Sequence, residues 1–116
     1  MCGICGVLGL SVDAKEVPVD RALVHRMADA LRHRGPDAEG SYFSRGIGLG
    51  SRRLSIIDLA GGDQPIHNED RSIWVVFNGE IYNYQSLTDD LTHKGHRFYT
   101  KTDTETIVHL YEEFQD

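Results

Sequence analysis

The sequence lacks several features that would place it in a specialised class of protein. Its 116 residues include only 2 cysteines and 3 prolines, and no apolar run approaches the roughly 20 residues of a membrane-spanning helix. Basic residues are also scarce, since 12 Lys and Arg stand against 18 Asp and Glu, for a net charge of −6. These deficits argue against a disulfide scaffold, a membrane span and a general binder of nucleic acid or anionic membranes.

The amino terminus carries no secretion signal. The start MCGICGVLGL has no basic residues and no cleavage-site pattern, so the expected location is the cytoplasm. The remaining composition, 40% hydrophobic and 26% charged, is that of an ordinary folded protein of single-domain length.

Hydrophobic periodicity and turn signals predict a mixed α+β architecture in one layered domain. Asp20 and Asn83 are predicted N-caps, and Thr102-x-x-Glu105 matches a capping box. The apolar run at 73–77 (IWVVF) predicts a strand buried on both faces. The run at 32–37 (RHRGPD) needs no more than a helix end followed by a turn. The predicted elements are strands at 2–10, 40–44, 46–58, 73–77 and 96–100, and helices at 20–33, 83–93 and after 102.

Cys2 is the first candidate for catalysis. When the second residue is small, the initiator Met is commonly removed, and Cys2 would then carry a thiol beside a free α-amine. Their ordinary pKa values, about 8.5 and about 7.7–8.0, allow the amine to take the thiol proton and return it to a leaving group. From position alone, a small buried cysteine is the competing interpretation. If Met1 is retained, the Cys2 nitrogen is an amide and we expect an inactive site.

The pair Cys2-x-x-Cys5 also permits a redox motif or half of a zinc site. Residues i and i+3 of a strand point to opposite faces, which separates the two thiols. The sequence has no second Cys pair and no His pair at the usual ligand spacing, so no metal ligands are predicted. Cys5 is predicted to lie in the core.

A second group of polar residues follows the apolar segments. Asn78-Gly79 is a common hairpin turn, but a side-chain amide and a backbone N–H could also form an oxyanion hole, with the Glu80 carboxylate beside them. Arg53 is either a surface residue or a carboxylate-binding one, and Asp103 is either a helix-start acid or an ammonium-binding one. Together these groups could bind the α-carboxylate and α-amine of an amino acid while a thiol attacks its side-chain carbonyl.

Five motifs extend this pattern over nearly the whole chain. In order, they strongly resemble the class II glutamine amidotransferase domain of asparagine synthetases, and the second to fourth contain features specific to that type. The stretch from Val19 to GEIYNYQSL is equally similar to exosortase-associated amidotransferases of bacterial surface-polysaccharide loci, whose ammonia acceptor is not securely aspartate. The motifs are MCGICG, RHRGPDAEG, GSRRLSIIDLAGGDQP, VVFNGEIYNYQSL and TKTDTE.

The resemblance implies an N-terminal-nucleophile hydrolase fold, a four-layer αββα sandwich. Residues 1–116 would be a partial, truncated amidotransferase domain, because the family's domain is longer, and the C-terminal synthetase domain would be absent. It further implies that Cys2 is the nucleophile and that the Asn78 side chain and Gly79 amide form the oxyanion hole. The resemblance assigns substrate binding to Arg53 for the α-carboxylate and to Glu80 and Asp103 for the α-amine.

The implied reaction hydrolyses L-glutamine through a thioester and releases ammonia, with no cofactor in this segment. The synthetase domain would use ATP and Mg²⁺ to activate aspartate for amidation. The sequence has no glycine loop followed by Lys-Ser or Lys-Thr that could cradle phosphates. Exposed sheet edges would favour a homodimer. The alternatives are another acceptor, a non-catalytic glutamine-binding module, or a zinc or redox protein built on the two cysteines.

Overall fold

The computed structural model describes residues 2–54 and 62–115, which form a small mixed α/β domain. Strands dominate the first half of the described chain and helices the second, as the periodicity predicts. The elements are β1 (Gly3–Leu8), α1 (Arg21–Ala30), β2 (Ala38–Ser44), β3 (Ile47–Arg53), β4 (Ile66–His67), β5 (Trp74–Val75), α2 (Tyr84–His93) and α3 (Glu105–Phe114).

The main sheet is antiparallel, with the strand order β1-β3-β2. Its register pairs Gly3 with Arg52 on one side of β3 and Ala38 with Arg53 on the other. The β2–β3 hairpin turns at Gly46, whose φ of +64° lies in the left-handed region that glycine adopts without strain. This register brings the start of β1 and the end of β3 to the same end of the sheet.

Helix α1 packs on this sheet through short side chains that lie over strand glycines. Val24 and Ala28 are buried beneath it, and a side chain at Gly48 would place its Cβ only 2.7 Å from Val24 Cγ2. The absence of a side chain in the strand therefore lets the helix approach closely. Asp20 is confirmed as the N-cap, since its Oδ1 accepts the Ala22 N–H at 2.9 Å. The helix ends at Ala30, three residues before the end at 33 that the sequence predicts.

Helices α2 and α3 pack on each other, and α3 also contacts the β4–β5 hairpin. Ile66, Leu91 and Val108 supply the buried apolar side chains of this part. Much of its interior is polar, however. The side chains of Asn68, Glu105, Thr106 and His109 are all buried there.

Several predicted strands differ from the observed ones in length or burial, and one is absent from the described residues. The strand at 73–77 is confined to Trp74–Val75 and its residues are half-buried, not buried on both faces. Residues 96–100 form no strand, because their backbone N–H groups at Tyr99 and Thr100 bond the Glu105 carboxylate instead of a neighbouring strand. Strand β1 ends at Leu8, two residues before the predicted end at 10. Strand β3 ends at Arg53, and residues 55–61 of its predicted extension lie outside the described residues.

Of the two remaining helix-cap predictions, the capping box at 102–105 is wrong, whereas Asn83 is confirmed as the N-cap residue. The N-cap of α3 is Thr104, and the carboxylate of Glu105 accepts hydrogen bonds from the preceding loop rather than completing a capping box. Asn83 occupies the N-cap of α2 but makes no side-chain capping bond. At Glu105, hydrogen bonds from the loop before the helix replace the local bond that the sequence predicts.

The sheet and the hairpin contact each other through side chains. Tyr42 of β2 stacks on Trp74 of β5, with ring centroids 4.1 Å apart. Ser51 of β3 donates its hydroxyl to the Gln64 carbonyl at 2.9 Å, just ahead of β4. Within residues 2–54 and 62–115, every helix is too short or too polar to cross a bilayer.

Candidate active site

A cleft of about 420 Å³ lies where the sheet meets the segment that follows β5. Its walls come from five separate places in the chain: the start of β1, the end of β3, the segment before β4, the segment after β5 and the loop before α3. The fold therefore gathers residues that are distant in sequence. The predicted site residues that line the cleft are Cys2, Arg53, Asn78, Gly79, Glu80 and Asp103.

Cys2 directly precedes β1 and is held from two sides. Its carbonyl oxygen accepts a hydrogen bond from Arg34 Nε at 3.2 Å and another from Asn78 Nδ2 at 3.1 Å. The first bond corrects the sequence interpretation of 32–37 as only a helix end and a turn. Arg34 reaches back to fix the backbone of the candidate nucleophile, while Gly35 lies directly against the main chain of β3.

Asn78-Gly79 does not form the hairpin turn that the dipeptide often indicates. The chain instead continues through Ile81 into α2, which begins at Tyr84. The amide nitrogen of Asn78 carries two hydrogens, and one of them serves the Cys2 carbonyl. The other remains for a group in the cleft, within reach of the residue that bears the thiol.

Gln64 fixes the segment that leads to this corner, although it is not among the residues that the sequence predicts for the site. Its Nε2 donates to the Phe77 carbonyl at 2.9 Å, and its Oε1 accepts the Phe77 N–H at 2.7 Å. The two bonds reproduce those of a neighbouring strand with a single side chain. They set the main chain immediately before Asn78. No local sequence signal reveals this pairing, because the two residues are 13 positions apart.

Arg53 contributes the positive charge of the cleft. Its guanidinium packs over Gly62, where an added Cβ would lie 3.0–3.1 Å from the two terminal nitrogens. Its Nη1 lies 3.2 Å from Asp63 Oδ1, and the Asp63 side chain is 80% exposed. An exposed ion pair of this kind contributes little to stability, so a ligand carboxylate could replace Asp63 at small cost.

Asp103 and Glu80 contribute negative charge on the facing wall. Asp103 Oδ2 accepts the Ile81 N–H at 2.7 Å, which ties the segment after Asn78 to the start of α3. Glu80 is exposed at the rim of the cleft. The cleft therefore presents the cationic side chains of Arg53 and Lys101 and two carboxylates to one small ligand.

Glu105 does not line the cleft, but its carboxylate binds the backbone of the loop that leads to Asp103. Burial raises the pKa of its carboxyl, but hydrogen bonds from His109, Thr100 and the backbone of Tyr99 lower the pKa more, so that it stays below its usual range. The ionised carboxylate holds the backbone just ahead of Thr102 and Asp103. The sequence predicts only a capping function for this residue.

Cys5 is separate from the cleft. It is half-buried rather than a full core residue, and its Sγ faces α1 at 4.0 Å from the Val24 carbonyl oxygen. Burial raises the pKa of the Cys5 thiol, and the charge of Glu39 raises it further. Both cysteines are free thiols, and of the two only Cys2 lines the cleft.

Comparison with known proteins decides the family. The model of the glutamine amidotransferase domain family matches residues 1–116. The chain belongs to this family. It is 40% identical over 116 residues to asparagine synthetase [glutamine-hydrolyzing] 1 of Bacillus subtilis (strain 168), a match that covers 100% of this chain and 18% of the relative.

Plant relatives agree with this membership of the amidotransferase family. Asparagine synthetase [glutamine-hydrolyzing] 1 of Arabidopsis thaliana is 48% identical over 114 residues, covering 98% of this chain and 19% of the relative. Asparagine synthetase [glutamine-hydrolyzing] of Brassica oleracea is 49% identical over 113 residues, covering 97% and 18%. The chain thus spans about a fifth of the length of these relatives. Their shared name favours the asparagine synthetase type over the polysaccharide-locus type.

Proposed function

We propose that this domain hydrolyses L-glutamine with Cys2 as the nucleophile, and that the ammonia is used by a synthetase domain of the same protein to amidate aspartate. The observation that carries the proposal is the contact between Cys2 and Asn78 in a cleft that also holds Arg53, Glu80 and Asp103. The match to the amidotransferase family and the names of the relatives support the same reaction.

The chemistry begins at the Cys2 residue after removal of Met1. The free α-amine takes the thiol proton, and the sulfur attacks the side-chain carbonyl carbon of glutamine. The second N–H of Asn78 Nδ2 and the backbone N–H of Gly79 stabilise the oxyanion that forms. The tetrahedral intermediate expels ammonia with the returned proton, which leaves a thioester on Cys2. Water then hydrolyses the thioester to glutamate and restores the thiol.

Substrate binding uses the two signs of charge in the cleft. The planar fork of Arg53 binds the glutamine α-carboxylate in place of Asp63. Glu80 and Asp103 bind the α-ammonium group, and the Ile81 N–H keeps the Asp103 carboxylate in position. A substrate lacking either the carboxylate or the ammonium leaves one of these charges without a partner.

The surrounding architecture completes the proposal. We infer that residues 1–116 are part of an N-terminal-nucleophile hydrolase domain with an αββα sandwich; α1 covers one face of the sheet, and the half-buried 73–77 run is available for a second sheet. The glutaminase step needs no cofactor, whereas the synthetase domain takes ATP and Mg²⁺ through residues outside this chain. We place the protein in the cytoplasm, as a homodimer, with no nucleic-acid or membrane partner.

The test replaces the nucleophile while leaving the rest of the protein intact. In the whole protein, Cys2→Ser should abolish glutamine-dependent asparagine formation and glutamate release, while ammonia-dependent formation persists. Cys5→Ser is the matched control and should retain both activities, because Cys5 faces α1 rather than the cleft. Blocking Met1 removal, verified by N-terminal mass spectrometry, should reproduce the Cys2→Ser result. Equal loss of both activities, or full glutaminase activity in Cys2→Ser, would refute the proposal.

A further inference from the structure

A second group of ionisable side chains lies away from the cleft. It comprises Glu69 in the β4–β5 turn, His96 after α2, and His109 and Glu112 of α3, and we name it the His–Glu cluster. One potential ligand atom from each of the four lies within 4.8 Å of the others. None of these residues lines the cleft that contains Cys2.

The orientation of His109 requires a positive charge inside the cluster. Its buried ring places Nε2 at 3.3 Å from Glu105 Oε1, and a carboxylate can only accept, so Nε2 is assigned the hydrogen. The opposite nitrogen, Nδ1, then faces Glu69 Oε2 at 3.4 Å with its lone pair. Among the described residues, neither of these two buried atoms has a hydrogen-bond partner. Two buried lone pairs that face each other repel unless a proton or a metal ion lies between them.

His96 repeats the arrangement. Its Nε2 lies 2.9 Å from Glu113 Oε1, while its Nδ1 lies 3.2 Å from Glu69 Oε1 and 3.6 Å from Glu112 Oε2. Both imidazoles therefore direct Nδ1 inward and Nε2 outward to a second carboxylate. Metal-binding histidines in proteins have this pattern, because the outer carboxylate fixes the tautomer and makes the ligating nitrogen more basic.

The distances fit a four-coordinate ion. Zn²⁺ bonds of about 2.0–2.1 Å in a tetrahedron place neighbouring ligand atoms roughly 3.3–3.4 Å apart. His96 Nδ1 lies 3.2 Å from Glu69 Oε1 and 3.6 Å from Glu112 Oε2, and His109 Nδ1 lies 3.4 Å from the other Glu69 oxygen, Oε2. With one atom from each ligand, the whole set lies within 4.8 Å. The His109-x-x-Glu112 spacing puts both ligands on one face of α3. The carboxylate ligands have outer partners as well, since the Arg97 N–H donates to Glu69 at 2.8 Å and the Asn68 amide to Glu112 at 3.4 Å.

The local charge also calls for a cation. Carboxylates outnumber imidazoles by four to two around the cluster, with Glu69, Glu105, Glu112 and Glu113 against His96 and His109. Lys94 lies 3.5 Å from Glu113 on the outside, where it offsets only the outermost charge. A divalent ion in the centre would offset two of the negative charges and satisfy the two unpartnered atoms.

We propose that the His–Glu cluster binds one divalent transition-metal ion, of which Zn²⁺ is the best fit, through Glu69, His96, His109 and Glu112. Two imidazole nitrogens and two carboxylate oxygens complete a closed site of the structural kind. The ion joins the β4–β5 turn and the segment after α2 to α3. Sequence spacing conceals the site, because its ligands are 27, 13 and 3 positions apart.

Metal titration of the intact, untagged protein tests this proposal. A Cys2→Ser/Cys5→Ser background removes thiol ligands and the nucleophile, so the result is independent of the proposed glutaminase reaction. After chelator dialysis, Zn²⁺ is titrated by calorimetry and Co²⁺ by visible absorption. We expect one ion per chain, a tetrahedral Co²⁺ spectrum and a higher thermal unfolding temperature with Zn²⁺.

Two double variants, one of proposed ligands and one control, are compared for Zn²⁺ binding. His96→Gln/Glu112→Gln should weaken Zn²⁺ binding by at least about a hundredfold and abolish the thermal shift. These two ligands are chosen because Glu112 is exposed and neither is as deeply buried as His109. His93→Gln/Asp89→Asn, on the exposed side of α2, should bind as the parent does. Equal binding by both pairs, or no Zn²⁺ binding by the parent at micromolar concentration, would overturn the proposal and leave a network of protonated histidines.

Discussion

The two parts of this domain are built on different interiors. In the sheet region (β1–β3 and α1), the helix covers the strands through Val24 and Ala28 over glycines, and only Ser51 and Arg52 are buried polar side chains among its described residues. In the hairpin region (β4, β5, α2 and α3), buried polar side chains such as Glu105 and His109 lie beside the apolar ones. Apolar packing tolerates small adjustments, whereas each buried polar atom needs a specific partner. We therefore expect the hairpin region to be the more sensitive to single substitutions.

The cleft lies between the two regions and takes residues from both. Cys2 and Arg53 come from the sheet region, while Asn78, Glu80 and Asp103 come from the hairpin region. The proposed nucleophile and the proposed oxyanion donors are consequently on different sides of a contact. The geometry of the site depends on how firmly the regions are held together.

The largest effect is expected at Glu105. Glu105→Ala leaves the backbone N–H groups of Tyr99 and Thr100 and the ring of His109 without their acceptor. Loss of a buried, multiply bonded carboxylate costs about 3–5 kcal/mol. Urea unfolding in the presence of a chelator measures this loss. The exposed substitution Asp89→Ala should change the free energy of unfolding by less than about 0.5 kcal/mol. A cost below about 1 kcal/mol for Glu105→Ala would contradict the contrast between the regions.

A smaller effect is expected in the sheet region from Gly48→Ala. The added Cβ would lie 2.7 Å from Val24 Cγ2 and 3.1 Å from Val19 Cγ1, which forces α1 away from the sheet. Overpacking of this kind costs about 1–3 kcal/mol. Gly6→Ala is the matched control, because its Cβ would meet the flexible end of Leu49 at 3.2 Å and the Gly48 carbonyl oxygen at an ordinary contact distance of 3.4 Å. The double variant Gly48→Ala/Val24→Ala should lose less stability than the two single losses combined; strict additivity would exclude the steric explanation.

The contact between the regions is tested at Gln64. Gln64→Leu removes both hydrogen bonds to Phe77 and should cost about 1–2 kcal/mol of stability. Because Asn78 is the next residue, the turnover number for the proposed glutamine hydrolysis should fall by about tenfold or more. Loss of one well-placed oxyanion donor lowers turnover by at least that factor. Gln85→Leu, on the exposed side of α2, is the control for both measurements. Unchanged turnover despite lost stability would show that the segment before Asn78 is positioned by other contacts.

The sheet region follows closely from its sequence pattern. The Asp20 cap, the apolar stripe of α1 and the glycines of β3 act over short distances, and the structure confirms the helix and the strands they predict. The end of α1 is predicted three residues too late, because residues 31–34 continue as turns. The N–H groups of Leu31, Arg32 and Arg34 donate to the carbonyls of Ala28, Asp29 and Leu31, respectively. Local signals rarely define such an end.

The hairpin region is predicted less well for a physical reason. Thr102-x-x-Glu105 fits a capping box, yet Glu105 finds stronger donors in the loop that precedes it. The run at 73–77 has the composition of a buried strand, but its last residue, Phe77, pairs with the Gln64 side chain. Side-chain hydrogen bonds to the backbone outweigh the local propensity in both cases.

The sequence by itself determined the mixed α/β class, the amidotransferase resemblance and six of the residues that line the cleft, because each depends on residue type and short-range order. Only the tertiary structure decided that Arg34 and Gln64 hold the cleft in place and that Glu69, His96, His109 and Glu112 meet. Those contacts join residues that are far apart along the chain. Their partners are chosen by burial and hydrogen-bond geometry, which no local pattern records.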